Sequence, residues 1–63
     1  MYEASLRNLY FRIESDSPEV GWYLYVFENE DCIYDYLQNT LEITKEFALQ
    51  EFNVPITAWK KTS

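Results

Sequence analysis

The stretch GWYLYVFENE, residues 21–30, decides the fold of this chain. Successive side chains of a strand point to opposite faces, so a run of bulky residues from Trp22 to Phe27 makes both faces of one strand apolar. Turn-forming residues flank the run, with SDSPEVG (15–21) before it and ENED (28–31) after it. The pattern therefore predicts a strand over residues 21–28. Its two faces carry Trp22, Leu24 and Val26 on one side and Tyr23, Tyr25 and Phe27 on the other.

A further strand is predicted on each side of this segment. Residues 6–14 (LRNLYFRIE) alternate apolar and polar side chains, and residues 32–38 (CIYDYLQ) form the third strand. The loop between the second and third strands has an even length, whether it is residues 29–30 or residues 28–31. An even loop predicts three cross-strand pairs. These are Phe27 with Cys32, Tyr25 with Tyr34, and Tyr23 with Tyr36.

The same register assigns Asp35 to the aliphatic face of the sheet, where it is the one charged side chain. An ionised carboxylate buried without a partner would be very unfavourable. We therefore expect Asp35 to lie at the periphery of that face or to cap the first turn of the following helix.

A helix is predicted from Thr40 to about Phe52. Asn39 is a good N-cap, and Glu42 stands three residues later, where its carboxylate can complete a capping box. The Asn-Val-Pro sequence at residues 53–55 ends the helix. A helical stripe for the aliphatic sheet face is formed by Leu41, Thr44, Ala48 and Phe52.

These elements predict one small α+β domain over residues 1–63. Its fold is a three-stranded antiparallel β-meander with one C-terminal helix packed on one face, in the order β-β-β-α. A chain of 63 residues buries little surface on folding, and its single cysteine forms no intrachain disulfide. Aromatic residues, which make up 19% of the chain, must therefore supply most of the core.

Composition excludes several functional classes. With 11 acidic against five basic residues the formal net charge is −6, which disfavours nucleic acids and anionic membranes as partners and favours a basic protein. Histidine is absent, Gly21 is the only glycine, and Cys32 has no nearby base, so we expect no enzyme, no metal site and no cofactor. The N-terminal residues lack a basic lead and a long apolar run, which favours a cytoplasmic location.

The predicted register leaves one sheet face uncovered and rich in tyrosine. Two interpretations stay open: the rings stabilise the sheet as cross-strand pairs, with Arg12 lying over a ring, or they form a contact surface for another protein. The side chains assigned to this face as partner-binding candidates are Tyr10, Arg12, Tyr23, Tyr25, Tyr34 and Tyr36.

A second apolar pair, Ile43 and Phe47, is predicted on the helix surface that points away from the sheet. These two residues either pack under the C-terminal segment near Ile56 and Trp59 or form a second contact patch.

Acidic residues gather at both ends of the sheet, and most such clusters are solvated loops. A rim of acids could also orient a basic partner. The two groups are Glu28, Glu30 and Asp31 at one end and Glu14, Asp16 and Glu19 at the other.

The run from residue 22 to residue 59 carries the pattern D-x-L-Q-x-T-L-E (35–42), then F-x-V-P (52–55) and a later tryptophan. In this it resembles short bacterial α/β proteins of immunity-protein type. The resemblance implies a small non-enzymatic protein and assigns no residue a role.

We therefore expect an acidic protein-binding module, of inhibitor or immunity type, that binds a basic protein through its tyrosine-rich sheet face. The alternative is a structural homodimer or accessory subunit whose tyrosine faces stack on each other. A platform that stacks single-stranded nucleic acid on its rings is disfavoured, because the chain lacks a basic groove.

Overall fold

The computed structural model of the chain, which describes residues 1–15 and 21–62, has an antiparallel sheet with one helix. Within these ranges the sheet has five strands in the order β4-β3-β2-β1-β5. The helix α1 follows β4, and a short 3₁₀ helix (Ile56–Ala58) precedes β5. The element bounds are β1 Tyr2–Leu6, β2 Leu9–Ser15, β3 Trp22–Glu28, β4 Asp31–Gln38, α1 Leu41–Phe52 and β5 Lys60–Lys61.

The predicted α+β class is confirmed, but three strands is an undercount. The strand predicted over residues 6–14 is divided by a turn at Arg7 and Asn8, and the preceding residues form β1, which pairs antiparallel with β2. Arg7 adopts a positive φ of 58° there. That conformation is uncommon for a residue other than glycine, so the sequence gives little sign of the turn. At the other end, β5 pairs with β1 through two residues only.

The core lies between one face of the sheet and the helix. The predicted alternation is confirmed in β2 and β3, where Phe11, Ile13, Leu24 and Val26 are fully buried. Rings close one end of this core: the Phe52 ring centroid lies 5.5 Å from that of Phe11, and the Trp59 centroid lies 6.4 Å from it. The residues that complete the core are Ala4, Thr44, Ala48 and Val54.

The helix begins one residue later than predicted, because Thr40 rather than Asn39 is the N-cap. The Thr40 hydroxyl oxygen accepts a hydrogen bond from the Ile43 amide at 3.1 Å, which satisfies one of the free N–H groups of the first turn. The helix ends as predicted at Asn53, whose φ of 62° is left-handed. The Asn53 amide donates to the Leu49 carbonyl oxygen at 3.0 Å.

The β3–β4 hairpin starts in the predicted register and then leaves it. Asn29 and Glu30, with φ values of 52° and 71°, form a two-residue turn of the kind that type I′ hairpins use. Phe27 pairs with Cys32 as predicted, but Val26 pairs with Tyr34, so Ile33 is an extra residue in β4. This irregularity is a β-bulge, and it reverses the faces of every later residue of the strand.

The bulge corrects three predicted placements. Tyr34 and Tyr36 lie on the helix side of the sheet instead of the opposite face, because they pair with Val26 and Leu24. Asp35 lies on the uncovered face, paired with Tyr25. The arrangement is physically favourable, since it places a carboxylate in water and two rings against the helix.

The prediction that Phe47 points away from the sheet is also wrong. Its ring centroid lies 4.6 Å from that of Tyr36, and its side chain is half-buried against the core. Ile43, one turn earlier on the helix, remains 44% exposed. The predicted second patch is therefore not formed by both residues: Phe47 packs inward and Ile43 stays at the surface.

We predict different costs for truncating these two helix residues. Phe47→Ala removes the ring that covers Tyr36 and should lower the free energy of unfolding by ~2–4 kcal/mol. Ile43→Ala should change it by less than about 1 kcal/mol, because Ile43 lies at the surface and is 44% exposed. Urea denaturation followed by tryptophan fluorescence measures both. Equal effects of the two substitutions would contradict the inward packing of Phe47.

Candidate protein-binding surface

The face of the sheet opposite the helix carries a cluster of four rings, which we call the outer aromatic patch: Tyr10, Tyr23, Tyr25 and Phe27. Tyr10 lies on β2 and the other three alternate along β3, between the core residues of the same strands. The rings are half-buried and contact one another. Ring centroids are 5.6 Å apart for Tyr10 and Phe27, and 5.7 Å apart for Tyr23 and Tyr25, which are stacked at 16°.

Arg12 lies within this patch. Its guanidinium carbon is 5.2 Å from the Phe27 ring centroid and 5.7 Å from that of Tyr10, which places the cation over two aromatic faces. Its Nη1 donates to the Glu14 carboxylate at 3.2 Å. The predicted cation–π placement of Arg12 is thus confirmed, and the side chain is held in a defined position.

The charge of Arg12 is stabilised by its neighbours. Hydrogen bonding with the Tyr10 side chain, and then with Glu14, raises the pKa of the guanidinium above its usual value. Its Nε atom has no hydrogen-bond partner and no contact with solvent. Arg12 therefore carries its positive charge at neutral pH, in the middle of the patch.

Acidic groups border the rings on two sides. Across the sheet, Tyr25 lies between Arg12 on β2 and Asp35 on β4, and Tyr23 lies between Glu14 and Leu37. Glu28 ends β3 on the other face, in line with Leu24 and Val26, and its carboxylate accepts a hydrogen bond of 3.2 Å from the Asn8 side chain. The centre of the surface is aromatic and cationic, and its border is acidic.

One end of the patch is concave. A depression of about 350 Å³ lies between the β1–β2 turn and the β3–β4 turn. Polar groups from the two turns and rings from the patch line it together, so it could receive a single side chain. The lining residues are Asn8, Tyr10, Arg12, Phe27, Asn29 and Glu30.

The structure brings only part of the predicted set of site residues together. Tyr10, Arg12, Tyr23 and Tyr25 share the outer face. The other predicted residues lie on the helix side: Tyr34, which is 49% exposed, Tyr36, Ile43 and Phe47. The partner-binding role of all of them stays a prediction.

Sequence reasoning left two residues out of this surface, Asp35 and Leu37. Leu37 is 48% exposed beside Tyr23. The sequence does contain a signal for both placements. The predicted register buries the carboxylate of Asp35, which is unfavourable, and a bulge of one residue before Asp35 would move Asp35 and Leu37 to the outer face.

The structure describes one of the two predicted acidic groups fully and the other only in part. Glu28, Glu30 and Asp31 surround the β3–β4 turn, where Glu30 and Asp31 are exposed. Asp16 and Glu19 lie outside the described residues, as does most of the turn predicted at SDSPEVG.

Residues 1–15 and 21–62 contain no group of three or more cysteine and carboxylate side chains placed to hold a metal ion. The helices of these ranges are too short or too polar to cross a membrane.

Comparison of the chain with known protein families, with curated proteins and with solved structures finds no match.

The environment of Tyr25 gives a pH prediction. Burial, and then the negative charge of Glu14, raises the pKa of its phenol above the usual value of 10.0. The raised pKa means that folding favours the protonated phenol. The free energy of unfolding should therefore fall as the pH rises from about 10 through the raised pKa, because the unfolded chain ionises first.

The ring carbon resonances of Tyr25, followed by NMR between pH 9 and pH 12, measure this ionisation. Glu14→Gln should move the midpoint part of the way back, since burial remains. Tyr25→Phe should reduce the loss of stability in the same range of pH. A Tyr25 midpoint at or below 10.0 would show that the ring is not buried as described.

Proposed function

We propose that this chain is a non-enzymatic, acidic protein-binding module of inhibitor or immunity type, and that its outer aromatic patch binds a basic protein. The observation that carries the proposal is the uncovered patch itself: four rings and Arg12 lie in contact on the sheet face opposite the helix. Tyrosine and arginine are the side chains most enriched among residues that dominate binding energy at interfaces.

The packing within the patch supports a binding role. Each ring is held by a neighbour, and Arg12 is held by two rings and by Glu14. Side chains that are ordered before binding lose little conformational entropy when a partner arrives. Cross-strand ring contacts that stabilise the sheet thus also prepare it for binding, and the two interpretations of the tyrosines are compatible.

The distribution of charge supports a basic partner. A net charge of −6 attracts a basic protein over long distances. Glu14 and Asp35 border the patch and can pair with lysine or arginine at the rim, whereas Arg12 at the centre disfavours a cation there. The proposed partner therefore presents a neutral or apolar centre within a basic border.

The alternative, a homodimer with stacked outer faces, is less favourable on the same grounds. It would bring Glu14 and Asp35 of two copies together, along with two net charges of −6. Its signature is a dimer that Tyr25→Ala dissociates.

We also propose that the protein resides in a reducing compartment such as the cytoplasm. Cys32 is an exposed free thiol and the only cysteine in the chain. An exposed thiol persists where thiols are kept reduced.

Site-specific photo-crosslinking in the source cells tests the proposed surface. p-Benzoylphenylalanine in place of Tyr23 reports on the outer face, and the same group in place of Leu49, which is 41% exposed on the helix, is the matched control. We expect the first variant to capture a protein of high isoelectric point and the second to capture none. Equal capture from both positions, or capture only of a second copy, would contradict the proposal.

With the captured partner purified, Tyr25→Ala should weaken binding by a factor of about 10 or more, as truncation of a central interface residue does. Leu49→Ala should leave the affinity unchanged. Added salt should slow association, because exposed charges at the rim are screened. Isothermal titration calorimetry and stopped-flow fluorescence measure these two quantities.

A further inference from the structure

The two edges of the sheet differ in how far their backbone groups are paired. At one edge β5 pairs with β1, and the Thr62 amide extends this cover by donating to the Met1 carbonyl oxygen at 2.8 Å. At the other edge β4 is a strand of eight residues with no described strand on its outer side. Half of the backbone N–H and C=O groups of such a strand point outward, where they can pair with another extended chain.

Apolar side chains gather along this open edge. Among the described residues seven large hydrophobic side chains are exposed, and three of them lie on β4: Ile33, Tyr34 and Leu37 at 40%, 49% and 48%. Ile43, at 44%, lies one turn before Phe47 on the helix, and Phe47 packs on Tyr36 of the same strand. The edge therefore has apolar surface on both sides of its backbone.

The charges of β4 select what can pair with it. Soluble proteins often protect an open edge with lysine, but β4 has no basic residue and carries Asp31 and Asp35. A second copy of the chain would bring more carboxylates to this edge, whereas a basic segment would neutralise them.

We propose that β4 binds an extended basic segment of the partner as a sixth strand of the sheet. This inference rests on the proposed function, because it takes the partner to be a basic protein, and it adds how that protein is held. Main-chain hydrogen bonds supply affinity in strand addition, and alternate side chains supply specificity.

The geometry of β4 sets the register of the added strand. The bulge at Ile33 interrupts the ladder, so the regular part of the edge is residues 34–38. Asp35 and Leu37 lie on the outer face and Tyr34 on the helix side. The added strand therefore places lysine or arginine beside Asp35 and an apolar side chain beside Tyr34.

A designed peptide tests this without knowledge of the partner. The probe has about seven residues, long enough to span residues 34–38, alternates lysine with valine, and is blocked at both ends. It is titrated into the ¹⁵N-labelled full chain and followed by NMR. We expect saturable shifts of the β4 amides, with the rest of the sheet little changed.

Two controls separate strand addition from charge attraction. The same peptide with alternate backbone amides N-methylated keeps every side chain and charge, and it should bind at least about 10-fold more weakly, because it cannot complete the ladder. Asp35→Asn in the protein should weaken the unmodified peptide by a factor of about 3–10. Leu49→Ala, on the exposed surface of the helix, should leave peptide binding unchanged.

The outcomes also distinguish this inference from the proposed function. Absence of binding, equal binding of the N-methylated peptide, or a free protein whose β4 amides are protected in a dimer would overturn strand addition at β4. The crosslink from residue 23 to a basic protein would then still support the proposed function. Conversely, binding of the peptide at β4 without that crosslink would contradict the role of the outer face.

Discussion

One helix of 12 residues can cover only one face of this sheet, and the rest of the structure depends on that constraint. The covered face takes the apolar side chains of β2 and β3, such as Phe11 and Leu24, together with the buried Ala48 of the helix. The opposite face must be stable in contact with water. Tyrosine suits that position, since it has high strand propensity, packs on neighbouring rings and keeps a polar tip. The same solution leaves an ordered aromatic surface that is available to a partner.

The bulge at Ile33 places the side chains of β4 on the faces that suit them, the helix-covered face for rings and the water-exposed face for a carboxylate. Without it, Tyr34 and Tyr36 would lie on the uncovered face and Asp35 would lie under the helix. The inserted residue exchanges these positions, so that Tyr36 packs on Phe47 and Asp35 stands next to Tyr25. The Cys32 thiol lies 3.5 Å from the Tyr34 carbonyl oxygen across the irregularity. One local change in the strand thus supplies part of the core and part of the acidic border.

The parts of the fold that the sequence predicts well are those with regular periodicity. Alternation assigns the faces of β2 and β3 correctly, and capping and proline signals place the helix to within a residue. The sequence-based predictions fail where the regular periodicity of a strand is broken. The turn at Arg7 has neither glycine nor proline, so the predicted strand over residues 6–14 runs through it and β1 is missed. β5 has two residues and is too short to carry a pattern. Loop parity fixes a register only for an uninterrupted ladder, so the bulge places two of the five predicted tyrosines, Tyr34 and Tyr36, on the helix side. For the candidate site, the sequence predicts the aromatic centre but not the residues that β4 contributes to its border.

β4 connects the two surfaces proposed for binding. Asp35 and Leu37 belong to the outer face, where they lie beside Tyr25 and Tyr23, and their backbone belongs to the open edge. A strand added at this edge would place its own outward side chains next to Asp35 and Leu37. It would therefore continue the outer face instead of forming a separate interface. A basic partner could bind across both surfaces at once, because main-chain pairing at β4 would fix the register in which its neighbouring residues meet the rings. In such an arrangement a chain of 63 residues gains a larger interface from one sheet without needing a second binding site.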